Sequence, residues 1–193
     1  MRLSICLPEI PLTVTPEQFA AIAAENRDLR LERTAKGELI VNPPTGSESG
    51  RHNFRILGQL FGWCDQHPEL GEGFDSSAGF QLPNGAIRSP DAAWVKRDRW
   101  EALTQAEKEG FAPLCPDFVI ELRSKTDSLP MLQDKMQEYV NNGMRLGWLI
   151  DRQSKRVEIY RVGREVEMIE KPEALTGEEV LPEFVLFLER VWQ

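Results

Sequence analysis

The run Pro116-Asp117-Phe118-Val119-Ile120-Glu121-Leu122 constrains this chain more than any other segment. Its apolar residues follow one another without alternation, the pattern of a strand at the centre of a sheet covered on both faces. Glu121 comes directly after Phe118-Val119-Ile120, in a stretch that otherwise reads as core. A carboxylate in such a place is costly to bury unless its charge is met by a base or a cation.

The segments around it read as alternating helices and strands. Thr15-Pro16-Glu17-Gln18 has the capping residues of a helix start, with the helix running to about Glu25. Two extended segments flank Lys36-Gly37 as a hairpin closed by Pro43-Pro44, and this hairpin is expected to begin the main sheet. From Ser47 to Cys64, Ile56, Leu57, Leu60 and Cys64 recur at helical spacing with Trp63 near the same stripe; the stripe continues backwards to His52 and Glu48. Gly79 to Pro83 and Pro90 to Val95 read as short strands, and Trp100 to Gly110 as one surface helix.

Ser128 to Asn142 is a further helix, with Leu129, Leu132, Met136, Tyr139 and Val140 on one face and Asn142-Gly143 as its stop. Arg145 to Asp151 and Lys155 to Val162 form a strand pair across Arg152-Gln153-Ser154. The expected fold class is α/β: a sandwich whose central mixed β-sheet is flanked by helices. With 193 residues, 41% of them hydrophobic, one domain over 1–193 is expected. It would comprise an N-terminal helix and hairpin (1–45), a core (46–160) and acidic C-terminal strands (161–193).

Composition narrows the function. No apolar run reaches the roughly 18 to 20 residues of a bilayer crossing, and the expected location is cytoplasmic. Cys6, Cys64 and Cys115 are far apart with no CxxC pair, which argues against zinc or a disulfide framework and for buried thiols. The net charge of −8 counts against a protein that coats nucleic acid through clustered Lys and Arg. Much of the acid is local, however: Glu165, Glu167, Glu170, Glu173, Glu178, Glu179 and Glu183 stand against a single Lys171. Basic groups remain at Arg51/Arg55, Lys96/Arg97/Arg99 and Arg152/Lys155/Arg156, each able to grip a backbone locally or simply to face solvent.

Strand alternation sets Asp91, Ala93 and Val95 on one face of their strand, and Val119, Glu121 and Arg123 on one face of theirs. A divalent cation would resolve the cost of the acid, since Mg²⁺ takes one or two carboxylates plus waters and phosphate oxygens. A buried ion pair of Glu121 with Arg123 or another base resolves it equally well. Lys135 borders the apolar stripe of its helix beside Tyr139, placed either to reach an acidic site or to snorkel to solvent. His52 continues an apolar face, where a core histidine and a catalytic one look the same in sequence.

In order and spacing these pieces resemble the Uma-two family of restriction-endonuclease-like proteins, within the PD-(D/E)XK nuclease superfamily. The matching pieces are Asn42-Pro43-Pro44 before a Ser-rich turn and His52, then Ser89 to Val95, then Pro116 to Ser124. They continue with Asp127, Lys135, Tyr139, Gly143 and Trp148-Leu149-Ile150-Asp151, covering roughly 40 to 190.

The resemblance implies a restriction-endonuclease-like sandwich and a Mg²⁺-dependent endonuclease, with Mn²⁺ as a substitute ion, acting on nucleic acid and DNA foremost as an endodeoxyribonuclease. It implies metal ligands in Asp91, Glu121 and the backbone carbonyl of Leu122, with Lys135 as the lysine that orients water, and His52 and Glu48 behind. The superfamily's lysine ordinarily stands two residues beyond the acid, where this chain has Arg123. Arginine stays protonated and can stabilise phosphate but not accept a proton from water. Lys125 competes with Lys135 for the role. A homodimer is compatible with this reading, a membrane partner is not. The alternative is a nuclease-like scaffold without catalysis, serving as a nucleic-acid-binding or protein-interaction module.

Overall fold

The computed structural model describes residues 11–193, so Cys6 lies outside the described residues. The chain opens with α1 (Pro16–Glu25), in which the Thr15 hydroxyl accepts from the Gln18 amide and the Gln18 side chain accepts from the Thr15 amide. The hairpin β1 (Arg30–Arg33) and β2 (Leu39–Asn42) follows, then α2 (Ser47–Gln66), β3 (Gly71–Asp75), β4 (Phe80–Gln81), β5 (Ile87–Arg88) and β6 (Ala92–Lys96). The hairpin turns at Gly37, whose φ of 89° is left-handed.

Two short helices come next, α3 (Arg97–Glu101) and α4 (Gln105–Glu109), where the sequence suggested one. The break has a local cause. Thr104 caps the amide of Glu107, and the Glu107 carboxylate accepts the Thr104 amide, so the chain restarts a helix at Gln105. Then come β7 (Phe118–Arg123), α5 (Leu129–Asn141), β8 (Leu146–Asp151), β9 (Arg156–Arg161), β10 (Glu167–Glu170), β11 (Ala174–Thr176) and β12 (Val185–Phe187). Gly143, at φ 106°, ends the α5 turn.

β7 lies inside a mixed six-stranded sheet of order β10-β9-β8-β7-β6-β3. It pairs parallel with β8, through the α5 crossover, and antiparallel with β6. The N-terminal hairpin does not begin this sheet. It joins β5 and β4 in a separate sheet of order β2-β1-β5-β4. The two sheets part between β5 and β6 at Ser89-Pro90, where proline has no N–H to continue a ladder. Asp91 accordingly stands one residue before β6 rather than within it.

Each face of the large sheet is covered. α2 brings Ile56, Leu60 and Trp63 against Trp94, Phe118, Ile120, Trp148 and the C-terminal residues Leu181, Phe184 and Leu186. α5 brings Met136 and Tyr139 against Ala93, Val95, Val119 and Leu149. A smaller core of Val14, Phe19, Leu31, Leu39 and Ile87 lies under α1. Cys115 is buried and Cys64 only half-buried, so the expectation of buried thiols is met fully by the first alone. Burial raises both thiols, Cys115 to about 12 and Cys64 to about 11. No helix among the described residues is long and apolar enough to cross a membrane.

Candidate active site

Antiparallel pairing of β6 with β7 sets Ala92 across from Ile120, and one step further in that register sets Asp91 across from Glu121. Both line a cleft of about 830 Å³ walled by the N-terminal turns of α2, the loop after β7 and Arg30 and Glu32 of β1. The Leu122 amide donates to Asp91 Oδ2 at 2.9 Å, and Arg30 stands 3.7 Å from Oδ1. Lys135 and Tyr139, one turn apart on α5, both reach Glu121 Oε1, the amine at 2.7 Å and the phenol at 3.2 Å.

A residue that the sequence reading passed over completes the group. Glu32 of β1 is buried; its Oε1 accepts from Lys135 at 2.9 Å and from the Ser89 amide at 3.2 Å. Its Oε2 meets Arg88 at 3.2 Å, and Arg88 in turn meets Glu138 at 2.6 Å. Glu138, Glu32, Glu121 and Asp91 thus face Arg88, Lys135 and Arg30, and the chain of charges holds one carboxylate more than it has cations.

The electrostatics follow from that imbalance. Burial, with Asp91 and Glu32 adding repulsion against the opposing pull of Lys135, lifts Glu121 to about 7. Burial also raises Asp91, against the hydrogen bond from Leu122 and the nearby cations. Glu32 is lowered even though burial opposes it, because Lys135 and Arg88 both hold its charge. Lys135 stays protonated: burial works against its charge, but Glu121 and Glu32 outweigh it.

The other expected residues are placed differently. Arg123 lines the cleft but is tied down, donating to Asp151 Oδ2 at 2.8 Å and to the Asp127 carbonyl at 3.3 Å. Lys125 is exposed on the same cleft wall. His52 is fully buried behind the wall, its Nε2 2.9 Å from Glu48 Oε1, and it does not line the cleft. Burial lowers its pKa, so the neutral ring is favoured in spite of Glu48. Asp117, the other acid of the β7 run, sits at the far end of the strand, accepting from the Lys96 amide and Arg99.

A divalent cation, as the resemblance implies, would find its donors at the cleft floor. Among the described residues no three His, Cys, Asp or Glu side chains converge as ligands. Mg²⁺ asks for less than that, taking one or two carboxylates and keeping several waters. The two raised, mutually repelling carboxylates and the excess of negative charge are what such a cation relieves.

Residues 16–189 match the family model described as "Uma2: Putative restriction endonuclease". The chain belongs to the Uma2 family. A search of curated proteins finds no match. Among solved structures, this Uma2 chain is similar to one titled a "putative nuclease belonging to DUF820" from Anabaena variabilis ATCC 29413. The TM-score is 0.70 at 17% identity, covering 84% of this chain and 89% of that one. At that identity the likeness establishes the fold alone, a mixed sheet flanked by helices.

Glu32 left no signal in the sequence. Alternation sets it on the face of β1 opposite Leu31, the face of a short hairpin that ordinarily meets water. Only the packing of α5 and Arg88 over it makes it interior.

Proposed function

We propose that this Uma2 protein is a Mg²⁺-dependent endonuclease that hydrolyses phosphodiester bonds of nucleic acid, DNA foremost. The observation that carries the reading is the placing of Asp91 opposite Glu121, one step beyond the β6–β7 register, at the floor of an open cleft, with Lys135 2.7 Å from Glu121. In this reading Asp91 and Glu121 hold the ion, with the Leu122 carbonyl as a further ligand. When bound, the ion supplies positive charge to the scissile phosphate and acidity to an attacking water.

The chain's own residues do the rest. Asp91 is held in place by the Leu122 amide, so its second oxygen stays turned to the cleft. Lys135, kept cationic by two carboxylates, orients the water by donation and stabilises charge gathering on the phosphate. Tyr139 fixes Glu121 from the core side. Arg152 on the cleft wall is a phosphate contact: its Nε donates to the Val191 carbonyl at 2.8 Å, while its reach to Glu48, at 3.5 Å, is loose enough to yield.

A second reading, a non-catalytic binding or interaction module, has its own observation. Arg123 stands where the superfamily keeps a lysine and is engaged by Asp151. Incubating the protein with supercoiled plasmid and with RNA, under Mg²⁺ and Mn²⁺, separates the two. The nuclease reading expects metal-dependent nicking that Glu121→Ala and Asp91→Ala abolish. A wild type that cleaves neither substrate would establish the module instead, and activity that survives both substitutions would overturn the assignment of Asp91 and Glu121.

A further inference from the structure

The face of α2 turned away from the sheet is unusual for a helix surface. Phe54 is 77% and Phe61 70% exposed, while Ile56, Leu60 and Trp63 face the core. Beside them stand Gly58 and Gly62, where an added methyl group would meet nothing within 4 Å. Glycine is the poorest helix former after proline. Neither glycine has a left-handed backbone, and no neighbour among the described residues requires one there.

Arg51, Phe54, Gly58, Phe61 and Asp65 recur at spacings of three and four, which lines them along one stripe. Phe187, 64% exposed, widens the stripe sideways, because its backbone is bonded in both directions to the Gln59 side chain. Three exposed rings leave on the order of 400 Å² of apolar surface, the size of patch that marks an interaction site on a soluble protein.

We propose that this stripe is a homodimer seam, in which a second copy lays its α2 antiparallel against the first across a two-fold axis near Gly58. The stripe is self-complementary in shape: phenylalanines from each copy cover the hollows over the other's glycines, which let the two backbones approach. It is also self-complementary in charge. An antiparallel pair brings the Arg51 end of one helix to the Asp65 end of the other, whereas a parallel pair sets like charges together. Mutual burial removes about 800 Å² of ring surface. The flanking arginine, aspartate and glutamine stems bring the total towards the roughly 1,200 to 2,000 Å² of specific interfaces. Phe54 also lines the cleft rim, so the second copy comes to rest beside the first copy's cleft mouth.

Sedimentation equilibrium of the full chain over a micromolar concentration series tests this. The wild type is expected to dimerise reversibly, and Phe61→Glu to weaken association by at least about thirtyfold. Gly58→Leu is the sharper variant, since the open space above Gly58 leaves the protomer's melting temperature unchanged or higher while the seam closes. Arg51→Asp should weaken the dimer, and adding Asp65→Arg to it should restore it. A wild type that stays monomeric throughout, or a dimer indifferent to Phe61→Glu and Gly58→Leu, overturns the proposal.

Discussion

The two faces of the large sheet are built from the same strands and do different work. On the α2 face, β7 and β8 present Phe118, Ile120, Trp148 and Ile150 to an apolar core that the C-terminal Phe184 and Leu186 complete. Trp148 stacks on Phe184 with ring centroids 6.0 Å apart and meets Phe118 edge-on at 4.8 Å. On the α5 face β7 presents Val119 and then Glu121, with Leu149 of β8 beside the acid, under Lys135 and Tyr139. A one-residue step along β7 therefore passes from hydrocarbon packing to a buried array of charges. The first face holds the fold together; the second is held in place by it.

That division is breakable by substitution. The largest effect is expected on the apolar face, where Trp148→Ala removes a fully buried indole from the stacked cluster. It should destabilise by about 3 to 5 kcal/mol with no change in the charges of the cleft. Chemical denaturation measures it, and a loss under about 1 kcal/mol would mean that the α2 face is not the structural one.

An effect of opposite sign is expected on the charged face. A carboxyl whose pKa is higher folded than unfolded binds its proton more tightly when folded, so stability falls as pH rises through that interval. For Glu121 the interval runs from 4.5 to about 7. Glu121→Gln should thus melt close to the wild type at pH 5 and above it at pH 8, by on the order of 2 kcal/mol. Mg²⁺ should stabilise the wild type at pH 8 and leave the glutamine variant unmoved. A variant that melts far lower at both pH values would make Glu121 an architectural ion-pair partner.

The smallest effect marks the boundary between the faces. Arg123 ends β7 and pairs with Asp151, which also accepts the Ser154 hydroxyl at 2.8 Å and the Gln153 amide at 2.9 Å. Although burial opposes it, those hydrogen bonds and Arg123 hold Asp151 below the ordinary carboxylate range. With the other donors retained, Arg123→Gln should cost only about 1 kcal/mol. A loss several times larger would place Arg123 inside the essential array.

The sequence made some of this readable and hid the rest for physical reasons. The β7 run and the acid interrupting it were visible because unbroken apolarity is rare outside a doubly covered strand. Lys135 was visible because a helical wheel fixes which side chains border the docked face. Membership of β1 and β2 in a separate sheet was not, since pairing partners far apart in sequence are chosen by packing. Glu32 and Arg88 were hidden for the same reason: they meet across 56 residues. The exposed phenylalanines of α2 lie off the stripe Ile56, Leu57, Leu60, Cys64 that identifies the helix, and only the fold reveals that nothing among the described residues covers them.

The ion-pair chain from Glu138 through Arg88, Glu32 and Lys135 to Glu121 bears on how such a cleft is inherited. Each interior member is shared between two neighbours, so replacing any one alone strands a buried charge. Changes at these positions are then strongly non-additive: a substitution harmful alone becomes tolerable only beside its compensating partner. Related chains should exchange these residues in sets, drifting freely at the apolar positions around them while the array is passed on whole or rebuilt whole.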